Sequence, residues 1–253
     1  MNIFRRSLIF RMESIVDTCR RLHSKRDSKI RPYTMVVEGN IGAGKTTFLE
    51  SIRKSSPPGL IEVVEEPVQE WRTYKDRYDL LDIMYEDSKK WSFLFQIQVQ
   101  LSMMKKYSLP PTRPIRIMER SLLSARFCFV ENLHNNGHLN DIELHTLNDL
   151  YNFVIKHDCF LCQTDLIIYL RTSPEVAYER MLRRSRSEAE KSLSLEHFRN
   201  IHELHEDWLF RKTKFQPLPC PIVVIDGNQG IDDMRKSYQD HEAILLKDAP
   251  IIH

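Results

Sequence analysis

The sequence predicts an α/β fold, a five-stranded parallel sheet flanked by helices. Three observations predict it. Short β-branched runs alternate along the chain with longer helical patterns, the signature of successive βαβ units. Most of those runs are apolar at both parities, as strands covered on both faces must be. At the junction of the first run and the first helical pattern stands Gly39-Asn40-Ile41-Gly42-Ala43-Gly44-Lys45-Thr46, which fits G-x-x-x-x-G-K-[ST].

Taken in order, residues 33–38, 60–65, 115–119, 165–170 and 222–226 are the expected strands. Helices are expected over 45–55, 89–106, 121–133, 141–156, 174–183, 195–211 and 231–246. The Pro/Ser/Gly cluster at 55–59 and the stretch 109–114 read as turns. No internal repeat and no low-complexity segment interrupts the alternation.

At 253 residues the chain suits one α/β domain better than two. A composition 42% hydrophobic and 28% charged excludes a largely disordered chain. No apolar run approaches the roughly 20 residues that span a bilayer, so no membrane insertion is expected. The net charge of +2 conceals an asymmetry: residues 1–31 carry nine Lys/Arg against three acids, leaving the remainder at −4. A mildly acidic body lacks the basic field of a nucleic-acid binder and points to a small substrate. The first 31 residues interleave Ile3, Phe4, Leu8, Ile9, Phe10, Ile15 and Val16 with arginines and resemble a mitochondrial transit segment. The expected division is therefore a leader, 1–31, and one folded domain, 32–253. Five scattered cysteines make no disulfide framework and suit a reducing compartment; Cys159-x-x-Cys162 lacks the second pair of a zinc site and reads as structural thiols.

The glycine-rich stretch carries the clearest chemistry. Three of the chain's seven glycines fall within it, and without Cβ atoms they let backbone N–H groups turn inward around phosphate oxygens. The helix that follows adds the partial positive charge of its N-terminus. Gly39, Asn40, Ile41, Gly42, Ala43, Gly44, Lys45, Thr46 and Thr47 are thus expected to hold ATP, with Lys45 at the β/γ-phosphates and the Thr46 hydroxyl on Mg²⁺. A GTPase would also need D-x-x-G and N-K-x-D, and neither string occurs.

The second strand runs into Glu65-Glu66-Pro67, and because proline cannot continue a central strand, Glu66 falls at its carboxyl end, where ligands of open α/β sheets collect. A carboxylate there can accept the proton of an attacking hydroxyl. The third strand ends similarly in Glu119-Arg120-Ser121, which sets an acidic group beside a guanidinium. Gln96, Val99 and Met103 lie at i, i+3 and i+7 on one helical face, and Ala125 and Phe129 at i and i+4 on another, so these residues can line one pocket. His202-x-x-His205 lacks the i, i+4 spacing of a zinc helix.

Together, Glu66-Pro-Val-x-x-Trp71, Glu119-Arg-Ser121, Arg126-Phe-Cys-Phe-Val-Glu-Asn132, Asp165-Leu-Ile-Ile-Tyr-Leu-Arg-Thr-Ser-Pro-Glu175 and His202-Glu-Leu-His-Glu-Asp-Trp208 resemble the deoxyribonucleoside kinase family, nearest its mitochondrial thymidine kinase and insect multisubstrate branches. The resemblance runs from about Tyr33 to Asp226. It implies a P-loop kinase fold with an Arg-rich lid, Mg²⁺-ATP as donor, a deoxyribonucleoside acceptor with pyrimidines preferred, and a homodimer. It further implies Glu66 as general base, Arg120 beside it near the 5′-oxygen and Glu119 supporting Mg²⁺. Gln96 would pair with the base, Phe129 stack on it, Trp71 form a wall, and Tyr85 meet the 3′-hydroxyl. Arg180, Arg183, Arg184 and Arg186 resemble the lid, with Arg184 and Arg186 on ATP. The chain departs from the pattern after them: in Ser187-Glu188-Ala189-Glu190 both acids compete for the 3′-hydroxyl, with Glu190 ahead. The rival readings are a thymidylate-type monophosphate kinase and a non-catalytic nucleotide-binding module.

Overall fold

In the computed structural model, which describes residues 31–157, 163–184 and 187–230 together with 233 and 236, Tyr33–Glu38 forms the first strand, β1. The strands that follow are β2 (Ile61–Val64), β3 (Ile115–Glu119), β4 (Leu166–Arg171) and β5 (Ile222–Asp226). They pair in the order β2-β3-β1-β4-β5, every pair parallel. The chain leaves β1 toward one edge and leaves β3 toward the other, so the crossovers part between the carboxyl ends of β1 and β3. Ligands of open α/β sheets bind in that crevice.

Strand parity sorts the core into two layers. Met35 and Val37 of β1 pack with Ile115, Ile117, Ile168 and Leu170 against Phe48, Leu49 and Ile52 of α1 (Lys45–Ser55). Val36 faces the opposite side with Met118, Ile167 and Tyr169. Successive side chains of a strand point to opposite faces, and both faces are covered here, which is why these runs lack polar alternation.

The second layer is built by α2 (Val68–Arg72), α3 (Leu80–Glu86) and the long α4 (Ser88–Ser108). Next come α5 (Leu122–Ser124), a π-helical stretch over Ala125–Val130 and α6 (Glu131–Asn135), and then α7 (Asp141–His157). After β4 the chain forms α8 (Pro174–Arg184), α9 (Glu188–Lys191) and α10 (Leu195–His205), the last continuing as π-helix over Glu206–Phe210.

The expected α/β sheet is present with all five strands, and α1 has the bounds the sequence indicates. Three short helices, α2, α3 and α9, were not anticipated. Asp79 and Asp87 explain α3 and its break from α4, since each side chain caps the helix that follows it. Residues 121–133 and 195–211 are helical as expected, but each contains a π-helical stretch, the wide turn that tends to mark functional sites. β2 stops at Val64, and β4 begins at Leu166 because Asp165 turns its carboxylate to the Thr34 amide and the Arg31 guanidinium. Most of the helix expected over 231–246, the Cys159/Cys162 pair and residues 1–30 of the leader lie outside the described residues.

Candidate active site

The glycine-rich loop joins β1 to α1 across the mouth of the crevice. Gly42 sits at φ 75, and a Cβ there would lie 2.2 Å from the Ala177 carbonyl oxygen, so no other residue fits. Gly44, at φ 94, precedes α1 without a side-chain cap, and the first turn of α1 carries no acid. The amides at this helix start are therefore left for an anion. Asn40 is 3% exposed and fixes the loop from within: its side-chain amide donates to the Phe198 carbonyl at 2.8 Å while its oxygen takes the Ile41 amide. Ala43 is fully buried, and Thr47 sits half-buried in the first turn of α1.

The Lys45 ammonium is folded back on the loop, donating to the Asn40 carbonyl at 2.7 Å and the Gly39 carbonyl at 3.2 Å. Burial, with Arg120 nearby, draws it well below the ordinary lysine value. The Thr46 hydroxyl donates to Glu119 Oε1 at 3.2 Å. Burial and the neighbouring Glu66 push the Glu119 carboxyl up.

Strand β3 ends at Glu119, and the next residue, Arg120, turns back over the loop with φ 63. A left-handed conformation costs a non-glycine residue about 1–2 kcal/mol, so surrounding contacts must hold it. Arg120 Nε meets Glu66 Oε1 at 3.0 Å, its Nη1 donates to the Gly39 carbonyl at 3.0 Å, and the guanidinium lies 4.5 Å from the centre of the Phe129 ring. One carboxylate and one guanidinium, from the ends of β2 and β3, are thus paired over the phosphate loop. Together they can take a proton from a hydroxyl and steady the oxygen that loses it.

Beneath this pair opens a cavity of about 350 Å³, within the range of small-molecule pockets. The structure brings Ile41, Gly42, Lys45, Glu66, Trp71, Tyr85, Gln96, Val99, Met103, Glu119, Arg120, Ala125, Phe129, Arg184 and Glu190 to its walls. Gln96 is 3% exposed, and its Oε1 is buried without a hydrogen-bond partner. Trp71 donates its indole N–H to Ser102 and stands edge-on to Phe95. Burial, then the charges of Glu190 and Glu66, raise the Tyr85 phenol. Glu190 is 3% exposed and accepts from Arg184 Nη2 at 2.5 Å.

Several expected residues lie elsewhere. The Glu188 side chain is 88% exposed and pairs with Lys191, because the Ser187 cap starts α9 where its first residue faces solvent. Arg180 donates to the carbonyls of Gly227 and Gln229, clamping the loop after β5, and Arg183 pairs with Glu179 at the surface. Of the lid arginines, Arg184 reaches the cavity and Arg186 lies outside the described residues. His205 is fully buried with Nδ1 against the Ile201 carbonyl, and among the described residues no cluster of three His, Cys, Asp or Glu suits a metal on its own.

Sequence reasoning missed some members of the site. Phe95, Asn132, Asn136, His138, Leu193 and His197 also line the cavity. Phe95 precedes Val99 by four residues and Asn132 follows Phe129 by three, so helical spacing was a usable signal for both. Burial beside His138 brings His197 down to about 4, which leaves it neutral. Glu38, at the end of β1, is fully buried and accepts from the Ser121 hydroxyl; burial pushes its carboxyl up to about 7 against the opposing effects of Ser121 and Arg120.

Residues 35–251 match the family model described as deoxynucleoside kinase. The chain is 36% identical over 222 residues to mitochondrial thymidine kinase 2 of Macaca fascicularis, covering 88% of this chain and 81% of that protein. The Homo sapiens protein of the same name is 35% identical over the same span and coverage. Deoxycytidine kinase 2 of Gallus gallus is 31% identical over 229 residues, 80% of this chain and 85% of that protein.

Proposed function

The chain belongs to the deoxynucleoside kinase family and is an ATP-dependent phosphotransferase acting on deoxyribonucleosides; from that premise we propose that it phosphorylates pyrimidine deoxyribonucleosides, thymidine and deoxycytidine, at the 5′-hydroxyl. The observation that carries the pyrimidine reading is the buried Gln96 amide with its unpartnered Oε1, set in the same cavity as Phe129 and Ala125. An amide offers an acceptor beside donors, so one orientation matches thymine N3–H and O4, and the flipped one matches cytosine N3 and N4–H₂. Val99, Met103 and Ala125 bound the base, and Phe129 stacks on it.

In this reading Glu66 takes the 5′-hydroxyl proton while Arg120, paired with it at 3.0 Å, steadies the attacking oxygen. Lys45 exchanges its loop carbonyls for the β/γ-phosphates, and Arg184 adds charge from the lid side. Tyr85 and Glu190 hold the 3′-hydroxyl. The donor pair Thr46 and Glu119, a hydroxyl and a carboxylate 3.2 Å apart, fits a magnesium ion that arrives with substrate phosphates. Thr46 would hold such an ion directly and Glu119 through a water, and the ion would supply charge to draw off that of the phosphates. An acceptor that was already a monophosphate would need no such base, and the Glu66–Arg120 pair favours the nucleoside over the thymidylate-type alternative.

The basic leader and the two mitochondrial relatives support a mitochondrial location. In cells, deletion of residues 1–30, which spares the Arg31 contact with Asp165, should move the protein to the cytosol. Leu94, Ile142 and Phe153, exposed on the adjoining helices α4 and α7, support a homodimer. The decisive assay is kcat/KM for the four deoxynucleosides with ATP and Mg²⁺. Purines face a steric penalty of about 1–3 kcal/mol, or about 5- to 150-fold. A purine ranking above both pyrimidines contradicts the proposal.

A further inference from the structure

Arg120 needs its left-handed turn. That conformation brings one side chain within reach of Glu66, Gly39 and Phe129 at once. Upstream, the sheet fixes it: Val37 stands opposite Glu119 in the β1–β3 register, and the Arg120 amide donates to the Val37 carbonyl at 3.0 Å. Downstream, a single hydroxyl does two things. Ser121 Oγ accepts the Leu123 and Ser124 amides at the start of α5, and it donates to Glu38 Oε1 at 2.5 Å. The residue after the strained arginine is thereby tied to the end of the neighbouring strand. Glu38 is fully buried, lies on the Val36 side of β1 and is not among the residues lining the cavity. It therefore has no direct access to substrate.

We propose that Glu38 is a positioning residue for Arg120, holding it through Ser121 in the turn that keeps the guanidinium over the phosphate loop and beside Glu66. The proposal rests on the reading in which Arg120 acts at the 5′-oxygen. What the device requires at residue 38 is an acceptor of the right reach, since Ser121 supplies the proton. Glutamine meets that requirement and methionine, of similar size, does not. Ser121 itself borders the cavity but Glu38 does not, and the group they position acts at the reacting oxygen, so loss of the bond falls on kcat rather than on nucleoside KM.

Glu38→Gln should retain kcat within about threefold. Glu38→Met should lower kcat about tenfold or more, with both KM values within about threefold and thermal unfolding still cooperative. Ser121→Ala breaks the same bond from the other side and gives the same answer if Glu38→Met is not recovered folded. In an Arg120→Ala background, either change should add less than about threefold, because the group being positioned is already gone. Wild-type kcat in both Glu38→Met and Ser121→Ala overturns the proposal. So does an equal loss in Glu38→Gln, or a full further loss on top of Arg120→Ala. An Arg120→Ala enzyme with unchanged kcat overturns the role of Arg120 as well; a disabled one alongside an active Glu38→Met overturns the clamp alone.

Discussion

Replacing Ala125 with methionine tests whether the wall beside the base sets specificity. Ala125 is 5% exposed and shares the cavity wall with Val99, Met103 and Phe129, so the thioether arm has nowhere to go but the pocket. Overfilling a packed site costs about 1–3 kcal/mol. Because the space belongs to the substrate rather than to the core, that cost falls on binding and reaction, about 5- to 150-fold in kcat/KM for thymidine. Deoxycytidine lacks the methyl group, and one carbon is worth about 0.8 kcal/mol, so the thymidine to deoxycytidine ratio should fall about fourfold. Steady-state kcat/KM at saturating ATP measures both, with the melting temperature as a check on the fold. Unaltered thymidine kinetics, or equal losses for both nucleosides alongside a lowered melting temperature, refute the reasoning.

Two further changes probe other parts. Lys45→Ala should abolish turnover yet preserve folding, since the ammonium touches only loop carbonyls and is desolvated at a cost; a normal rate contradicts the phosphate-loop role. Glu206 probes the structural network: burial alone would raise its carboxyl, but hydrogen bonds from Arg171 and Tyr169 hold it below the ordinary value of 4.5. A depressed folded pKa gives stability that is present above the unfolded value and is lost as pH falls through the folded one. Glu206→Gln should therefore cost about 2 kcal/mol at neutral pH, with a narrower gap to wild type at an acid pH below the ordinary value of 4.5. Denaturant unfolding at both pH values checks it, and an undiminished gap contradicts the sign.

Strands and the phosphate loop were legible because their signals are local. A β-branched run needs only its own residues, and Gly39 to Thr46 encode their conformation directly. Glu66 was legible through Pro67, which cannot extend a strand. The π-helical stretch at Ala125–Val130 was not, since an apolar pattern of that length fits either helix type. Glu188 and Glu190 stayed ambiguous in sequence because the choice turns on where Ser187 starts a helix of four residues. Arg180 read as a lid arginine because its partners, the carbonyls of Gly227 and Gln229, are distant in the chain. Glu38 gave no signal, since a carboxylate ending a strand reads as solvated until its partner Ser121 is seen beside it.

The central claim is that Glu66 removes the proton from the attacking hydroxyl, and Glu66→Gln tests it most directly. The amide oxygen can still accept from Arg120 Nε, which Glu66 meets at 3.0 Å, so the site keeps its shape while losing its base. The kcat for thymidine with saturating Mg²⁺-ATP should fall about 100-fold or more, as removal of a general base does, with nucleoside KM little changed. A mutant turning over near the wild-type rate would contradict the account.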